Sequence, residues 1–208
     1  MLIFDMDGTL INSNGIWRTV DETFLRRRGL PYTREYYEGV AHTVFPKAAA
    51  FTKEYCHLEE SPEEIMAEWM DLAGDMYATA VTCKPGVRAY LDKCRARGET
   101  MIVLTSSVPL HCKTALTHLE LLPYFRRVLI AQELGLDKKD PAIFREAARI
   151  MGVAEQDCTV FDDSIASCRS ALSAGMTVVG VYDSFFDLYW EEMQQECHRT
   201  IRSFEELV

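Results

Sequence analysis

The sequence lacks long hydrophobic runs, an excess of positive charge and a glycine- or proline-rich composition. Among its 208 residues, 22 lysines and arginines are set against 32 aspartates and glutamates, which gives a net charge of −10. This acidic balance excludes binding to nucleic acid or to an anionic membrane through a diffuse basic surface. No apolar run approaches the roughly 20 residues that a membrane-spanning helix requires. We therefore expect neither nucleic acid nor membrane as a partner.

The cysteines also lack the spacing of a metal site. There are seven, and no two are separated by only two residues. Because structural zinc sites usually show such close pairs of ligands, zinc is not expected, and reduced, mostly buried thiols are the simpler interpretation. The first apolar stretch is interrupted at once by Asp5 and Asp7. This pattern is unlike a secretory leader, so the sequence predicts a cytoplasmic protein.

Short apolar runs recur along the chain and alternate with helical patterns. The runs are Leu2–Phe4 and residues 101–104, 128–131, 159–161 and 178–181. Runs that are apolar at every position predict strands buried on both faces, as in a parallel sheet. Between the later runs, apolar residues recur at helical spacing, as at Val87, Tyr90, Leu91 and Cys94. The alternation predicts an α/β fold with a doubly wound, Rossmann-like parallel sheet.

Residues 14–81 contain no such run and have a helical pattern, with acidic stretches that show no obvious cap. We interpret them as an all-helical insertion after the first strand. The predicted organisation is an α/β core of residues 1–13 and 82–208 with a helical cap of residues 14–81. The last part, residues 182–208, predicts a helix and a terminal turn that cover the sheet edge.

Carboxylates follow two of the predicted strands. Asp5 and Asp7 follow the first, and Asp162 and Asp163 follow the run at 159–161. In a doubly wound sheet, ligands bind at the carboxyl ends of the strands, so these four side chains should share one edge. They would repel one another strongly without a cation between them. A hard divalent ion with oxygen ligands, most simply Mg²⁺, meets that need.

The spacing of Asp5 and Asp7 suggests that the two carboxylates have different chemical roles. In an extended segment, residues i and i+2 point to the same side, so one carboxylate can attack an electrophile while the other handles a proton. If the electrophile is phosphorus, the product is an acyl phosphate. Gly8 would let the chain turn away at once. A calcium loop is excluded because the further carboxylates that it requires do not follow.

At this point the residues resemble a known family. The segment FDMDGTL at residues 4–10 closely resembles the first motif of the haloacid-dehalogenase superfamily. LTSS at 104–107 resembles the second motif, and VFDDS at 160–164 resembles the fourth. The resemblance covers nearly the whole chain. With a helical insertion after the first motif, the chain is similar to the branch that contains phosphoglycolate phosphatase and β-phosphoglucomutase.

The resemblance implies roles for the matching residues. Asp5 would be the nucleophile, and Asp7 would protonate the leaving oxygen and then activate water. Thr105, with Ser106, would bind phosphoryl oxygens. Mg²⁺ would be bound by Asp5, by the backbone carbonyl of Asp7 and by Asp163. Asp162 would either bind the ion directly or contact one of its ligands.

The third motif departs from the family pattern. The family usually has Gly-Lys-Pro-x-Pro before a helix, whereas this chain has LDKKDP at residues 136–141. Counting back from Pro141 selects Lys138 as the catalytic and substrate-binding lysine, with the neighbouring Lys139 as the alternative. Two small departures in the fourth motif, Ser167 and Ser170, are expected to affect helix packing more than chemistry.

Within the helical insertion, residues 39–47 fall where related caps place a specificity loop. His42, Thr43 and Lys47 are therefore candidates for contacting the organic part of the substrate, although exposed loop residues without a ligand would look the same.

The sequence as a whole predicts a Mg²⁺-dependent phosphatase that acts on a small phosphomonoester through an aspartyl-phosphate on Asp5. One alternative is a phosphomutase of the β-phosphoglucomutase type, and another is a non-catalytic protein that binds a phosphorylated metabolite. The dehalogenases and the phosphonate-cleaving members are disfavoured because they lack an acid at the position of Asp7. We expect a monomer or a small homo-oligomer.

Overall fold

The computed structural model describes residues 1–40 and 45–208. Within them the chain forms two compact units, one of Met1–Asn14 and Val81–Val208 and the other of Gly15–Ala80. The strands are β1 (Leu2–Phe4), β2 (Ile11–Asn12), β3 (Thr82–Cys83), β4 (Met101–Thr105), β5 (Arg127–Ile130), β6 (Thr159–Asp162), β7 (Thr177–Val181) and β8 (Arg199–Ile201). The α-helices are α1 (Ile16–Arg27), α2 (Arg34–Val40), α3 (Phe45–Cys56), α4 (Pro62–Thr79), α5 (Val87–Ala96), α6 (Pro109–His118), α7 (Ala131–Leu134), α8 (Pro141–Met151), α9 (Ile165–Ser173) and α10 (Trp190–Glu196).

Six of the strands form one parallel sheet in the larger unit. Their order is β5-β4-β1-β6-β7-β8, so β1 lies inside the sheet between β4 and β6. Phe4, the last residue of β1, is opposite Val103 on one side and Phe161 on the other. Because the strands are parallel, their carboxyl ends share one edge. The doubly wound α/β fold expected from the sequence is confirmed.

The inner strands of this sheet are covered on both faces, which explains why β1 and most of β4 are continuously apolar. Ile3 belongs to a core cluster with residues of α8 and α9, such as Phe144 and Cys168. The next residue, Phe4, has its ring stacked on Phe161 with 4.7 Å between the centroids. Successive side chains of a strand point to opposite faces, so β1 contributes to two apolar layers. Burial of one such side chain contributes about 1.5–3 kcal/mol to stability.

Three strands differ from the sequence prediction. The terminal segment was expected to form a helix and a turn, but it also provides β8, which pairs with β7 at the edge of the sheet. Only Ile201 of β8 is buried, so no apolar run marks this strand. A short antiparallel pair, β2 and β3, is also present, with Ile11 opposite Cys83. Each of these two strands has two residues, too few to show a periodic pattern.

In its described residues, the smaller unit contains the helices α1 to α4. Contrary to the sequence interpretation, α4 has a complete N-terminal cap. The Ser61 hydroxyl accepts a hydrogen bond from the backbone N–H of Glu64, and the Glu64 carboxylate accepts one from the Ser61 N–H. This reciprocal pair is a capping box, whose Ser-x-x-Glu signature is visible in the sequence.

None of the helices in the described residues is long and apolar enough to span a bilayer.

Candidate active site

The segment that follows β1 makes a tight turn at the carboxyl edge of the sheet. The Asp5 N–H donates to the Phe161 carbonyl oxygen at 2.9 Å, so Asp5 is still held to β6. Gly8 has a φ of +80°, and a Cβ atom at this position would collide with the Asp163 carboxylate. Only glycine combines this left-handed backbone with so close an approach. Asp7 therefore lies on a turn packed directly against the carboxylate of Asp163.

Three buried carboxylates meet at this edge. One oxygen from each of Asp5, Asp162 and Asp163 lies within 4.8 Å of the others. Asp7 is partly exposed, and its Oδ1 atom accepts a hydrogen bond from the Ser13 hydroxyl at 2.6 Å. The arrangement joins residues from the first and fourth sequence motifs, as their positions after parallel strands predict.

Lys138 is the cation of this cluster. Its Nζ atom lies 2.6 Å from Asp5 Oδ1 and 2.6 Å from Asp162 Oδ2, and the residue is only 7% exposed. Lys139 is exposed. A turn separates the two side chains, since Asp137 accepts hydrogen bonds from the N–H groups of Lys139 and Asp140 at 2.8 and 2.9 Å. This tight turn directs the two adjacent lysine side chains apart.

Burial dominates the titration of the cluster. It raises the pKa of Asp5 well above its usual value, opposed by Lys138 and reinforced by the neighbouring aspartates. Burial, followed by the charge of Asp162, raises the pKa of Asp163 to about 7. Burial alone would lower the pKa of Lys138, but the carboxylates of Asp162 and Asp5 outweigh it and raise that pKa. The three buried carboxylates thus outnumber the ammonium group of Lys138, and the excess negative charge is what a divalent cation would balance.

Several polar residues that support the cluster were not singled out from the sequence. The Thr9 hydroxyl donates to Asp163 Oδ1 at 3.0 Å, and the Asn14 amide donates to Asp163 Oδ2 at 2.9 Å. Together with Ser13 on Asp7, they fix carboxylates that would otherwise rotate. Their only signal in the sequence is their position, since Thr9 lies within the first motif and Ser13 and Asn14 lie just after it.

Ser167 corrects a sequence interpretation. Its hydroxyl donates to Asp162 Oδ2 at 2.6 Å inside the protein, and the Ser164 N–H donates to Asp162 Oδ1 at 3.0 Å. Asp162 is therefore held through both oxygens by the start of α9, and its Oδ2 atom also contacts Lys138. Ser167 acts on the orientation of a site carboxylate and not only on helix packing.

The second motif ends a strand beside β1. Thr105 is buried at the end of β4, and its Oγ1 atom accepts the Ser107 N–H at 3.0 Å, which leaves the hydroxyl able to donate. Ser106 is exposed.

Of the candidates in the helical unit, Lys47 is exposed on α3. His42 and Thr43 lie outside the described residues. The substrate contacts of all three stay predictions.

Comparisons with known proteins agree with these motifs. The family model of haloacid dehalogenase-like hydrolases matches residues 2–181. A phosphorylated carbohydrates phosphatase of Thermotoga maritima is 23% identical over 187 residues, which cover 89% of this chain and 87% of that protein. A fructose-1-phosphate phosphatase of Escherichia coli K12 is 28% identical over 180 residues, which cover 86% of this chain and 95% of that protein.

A solved structure shares the fold. The crystal structure of a candidate β-phosphoglucomutase from Thermotoga maritima superimposes with a TM-score of 0.88 at 22% identity, covering 99% of this chain and 95% of that one. At this level of identity the likeness shows the fold alone. The family model, in contrast, extends over most of the chain and includes all the strands that carry the site carboxylates. The chain therefore belongs to the haloacid dehalogenase-like hydrolases, the family that its motifs predicted.

Proposed function

We propose that this protein is a Mg²⁺-dependent phosphatase that hydrolyses a small phosphomonoester through an aspartyl-phosphate on Asp5. The observation that carries the proposal is the buried ion pair of Lys138 with Asp5 and Asp162, beside the carboxylate of Asp163. Such a group of titratable residues, strongly perturbed by burial and by one another, is typical of a catalytic site.

The enzyme class follows from the relatives. The chain is a phosphoric monoester hydrolase of the haloacid dehalogenase type, because its family is one of hydrolases and its curated relatives include several phosphatases. Two of these are named for phosphorylated carbohydrates and for fructose 1-phosphate. These names support a small phosphorylated metabolite, such as a sugar phosphate, as the substrate.

The donor set fits Mg²⁺. Buried carboxylate oxygens are the ligands that this hard cation prefers, and Asp5, Asp162 and Asp163 present three of them close together. Asp162 already accepts hydrogen bonds from Lys138, Ser164 and Ser167, so Asp5 and Asp163 are the better candidates for direct ligands. The backbone carbonyl of Asp7 would complete the set. When bound, Mg²⁺ would offset the negative charge of the carboxylates and of the phosphoryl group.

Side chains of the protein would bind the phosphoryl group, attack phosphorus and transfer the protons. Lys138 uses two of its three N–H donors on Asp5 and Asp162, so one remains within the described residues for a phosphoryl oxygen. Its contact with Asp5 Oδ1 orients that carboxylate, whose second oxygen can attack phosphorus. Thr105 would donate its hydroxyl to another phosphoryl oxygen. Asp7, oriented by Ser13, would give a proton to the leaving oxygen and take one from the attacking water.

A phosphomutase would use the same core residues and would differ in transferring the phosphoryl group to a sugar hydroxyl instead of water. The structural likeness to a candidate β-phosphoglucomutase does not favour this reading, because it shows the fold alone. The curated relatives named above are phosphatases. A cytoplasmic location and a monomeric or small oligomeric state stay predictions from the sequence.

The proposal can be tested with a panel of sugar phosphates, phosphoglycolate and nucleotides, with chelator and with Mg²⁺. We expect phosphate release that chelation abolishes and Mg²⁺ restores. With a hexose 1-phosphate, both free phosphate and the 6-phosphate should be followed. Faster formation of the 6-phosphate would indicate a mutase, and tight binding without turnover of any compound would indicate a binding protein.

A further inference from the structure

A second buried lysine lies behind the turn that carries Asp7. Lys84 follows β3 and is 8% exposed, and along the chain it is 76 residues from Gly8. Its Nζ atom donates to the Gly8 carbonyl at 2.6 Å, to the Tyr182 carbonyl at 2.6 Å and to Asp183 Oδ2 at 2.8 Å. The ammonium group thus joins the turn after β1, the segment after β3 and the end of β7.

These contacts exclude a direct role for Lys84 in binding substrate. An ammonium group has three N–H donors, and the three acceptors use all of them. A phosphoryl oxygen could be bound only if one of the existing contacts broke. The effect of Lys84 on the reaction must therefore pass through the groups that it holds.

The group that matters is Gly8. One side of this residue is packed against the Asp163 carboxylate, so closely that no Cβ would fit, while its carbonyl accepts from Lys84. Asp7 precedes Gly8, and Thr9, which follows it, donates to Asp163 Oδ1. A rotation of the Gly8–Thr9 peptide would therefore displace both the proton carrier and a hydrogen bond to a metal-site carboxylate.

We propose that Lys84 is a positioning residue that fixes the turn of Asp7, Gly8 and Thr9 in its reactive conformation by binding the Gly8 carbonyl. The inference rests on the proposed phosphatase function for its kinetic consequence. Small displacements of catalytic groups cost up to about a hundredfold in rate. A charged donor is well suited to this task because hydrogen bonds from ionised groups are roughly twice as strong as neutral ones.

A purely structural role has to be distinguished from this one. Lys84 also neutralises Asp183, whose side chain is 10% exposed, and loss of the lysine would leave that carboxylate buried without its cation. The resulting destabilisation would accompany any change at this position. Replacing Asp183 by asparagine in the same protein removes the unpaired charge but does not restore a donor to the Gly8 carbonyl.

The experiment compares Lys84→Met, the double variant Lys84→Met/Asp183→Asn and the control Lys93→Met. Lys93 is matched because it also donates to a backbone carbonyl, that of Leu207 at 2.8 Å, in the same unit. For each protein, kcat and KM are measured with p-nitrophenyl phosphate, the unfolding midpoint by circular dichroism, and the Mg²⁺ dissociation constant by calorimetry without substrate.

We expect Lys84→Met to lower kcat about tenfold or more, with KM within about threefold, and to weaken Mg²⁺ binding. The double variant should regain thermal stability but not kcat, and Lys93→Met should keep the wild-type kcat. Recovery of kcat along with stability in the double variant would overturn the proposal, as would an unaltered kcat in Lys84→Met. If Lys84→Met does not fold, the double variant alone decides, since it lacks the unpaired charge.

The two proposals fail in different ways. If the wild-type protein hydrolyses no phosphomonoester, the proposed function is wrong, while the Mg²⁺ dissociation constants still test Lys84. Equal Mg²⁺ affinity in the wild-type protein and the double variant would then contradict its positioning role.

Discussion

The two adjacent lysines of the third motif differ in burial and in the charges that surround them. Lys138 bridges Asp5 and Asp162, whereas Lys139 is exposed. Removing a preorganised cation beside the phosphoryl group should raise the barrier by about 3 kcal/mol, or roughly a hundredfold in rate. We therefore predict that Lys138→Ala loses about a hundredfold in kcat and that Lys139→Ala stays within about twofold. Steady-state kinetics of the two variants, measured in parallel, give both values of kcat. A larger loss of kcat in Lys139→Ala would contradict the assignment of Lys138 as the catalytic lysine.

Ser167 provides a second test at the level of a single hydroxyl. Its hydroxyl donates to Asp162 Oδ2, the same oxygen that forms the ion pair with Lys138. Loss of a hydrogen bond to a charged group costs about 1.5–3 kcal/mol, so Ser167→Ala should reduce kcat by about tenfold or more. Ser170→Ala is the control, because Ser170 is also buried on α9 but lies about one turn further from the start of the helix. Equal effects of the two substitutions would show that Ser167 acts only through packing.

The residues that the sequence predicted and those that it missed differ in how their contacts arise. Asp5, Asp7, Asp162 and Asp163 follow apolar strands, and parallel topology alone brings strand ends together. Lys84 has no such marker, because its partners are 76 to 99 residues away and are mostly backbone carbonyls. Carbonyl acceptors carry no sequence signature, so this contact could be found only in three dimensions.

Among the secondary structure elements, the most predictable were those with a continuous pattern. The strands β1, β4, β6 and β7 were expected within one residue at each end, because strands buried on both faces are apolar throughout. The predicted run at 128–131 was shifted by one residue from β5, since Ala131 begins α7. β8 was missed because a sheet edge buries few of its side chains, so hydrogen bonding to β7, not composition, defines it.

One helix contains a half-buried acid that the proposed chemistry does not use. Asp21 on α1 receives a 3.4 Å hydrogen bond from the Tyr36 hydroxyl on α2. Burial raises the pKa of Asp21 to about 7 from its usual 3.8, opposed by Tyr36 and reinforced by Glu22. The folded state therefore holds a proton that the unfolded state has lost between these two values. Stability should fall as the pH rises from about 4 to about 7.

We predict that Asp21→Asn removes this dependence, because asparagine cannot ionise. Relative to the wild-type protein, the variant should gain up to about 4 kcal/mol of unfolding free energy between pH 4 and pH 8. Urea unfolding followed by circular dichroism at the two pH values measures the difference. Asp71→Asn, at an exposed position of α4, should show no such gain. A constant difference between Asp21→Asn and the wild type at both pH values would contradict the prediction.

For the whole molecule, the pattern of apolar strands and helices determines the fold more than the identity of the individual residues does. The chain shares its fold with a protein that is only 22% identical, at a TM-score of 0.88. What the two must share is the order of apolar strands and helices, because burial on both faces of a sheet tolerates many apolar side chains. The prediction of a helical cap at residues 14–81 rests on the converse reason, the absence of such apolar runs over a long stretch.

The central claim is that Asp5 becomes phosphorylated during turnover. The direct measurement is mass spectrometry of protein quenched in acid while it hydrolyses an active substrate with Mg²⁺. We predict one phosphoryl group on the peptide that contains Asp5, labile to hydroxylamine as an acyl phosphate is, and none in the Asp5→Asn variant, which should also release no phosphate. Continued hydrolysis by Asp5→Asn, or a phosphoryl group on another residue of the active protein, would contradict the account.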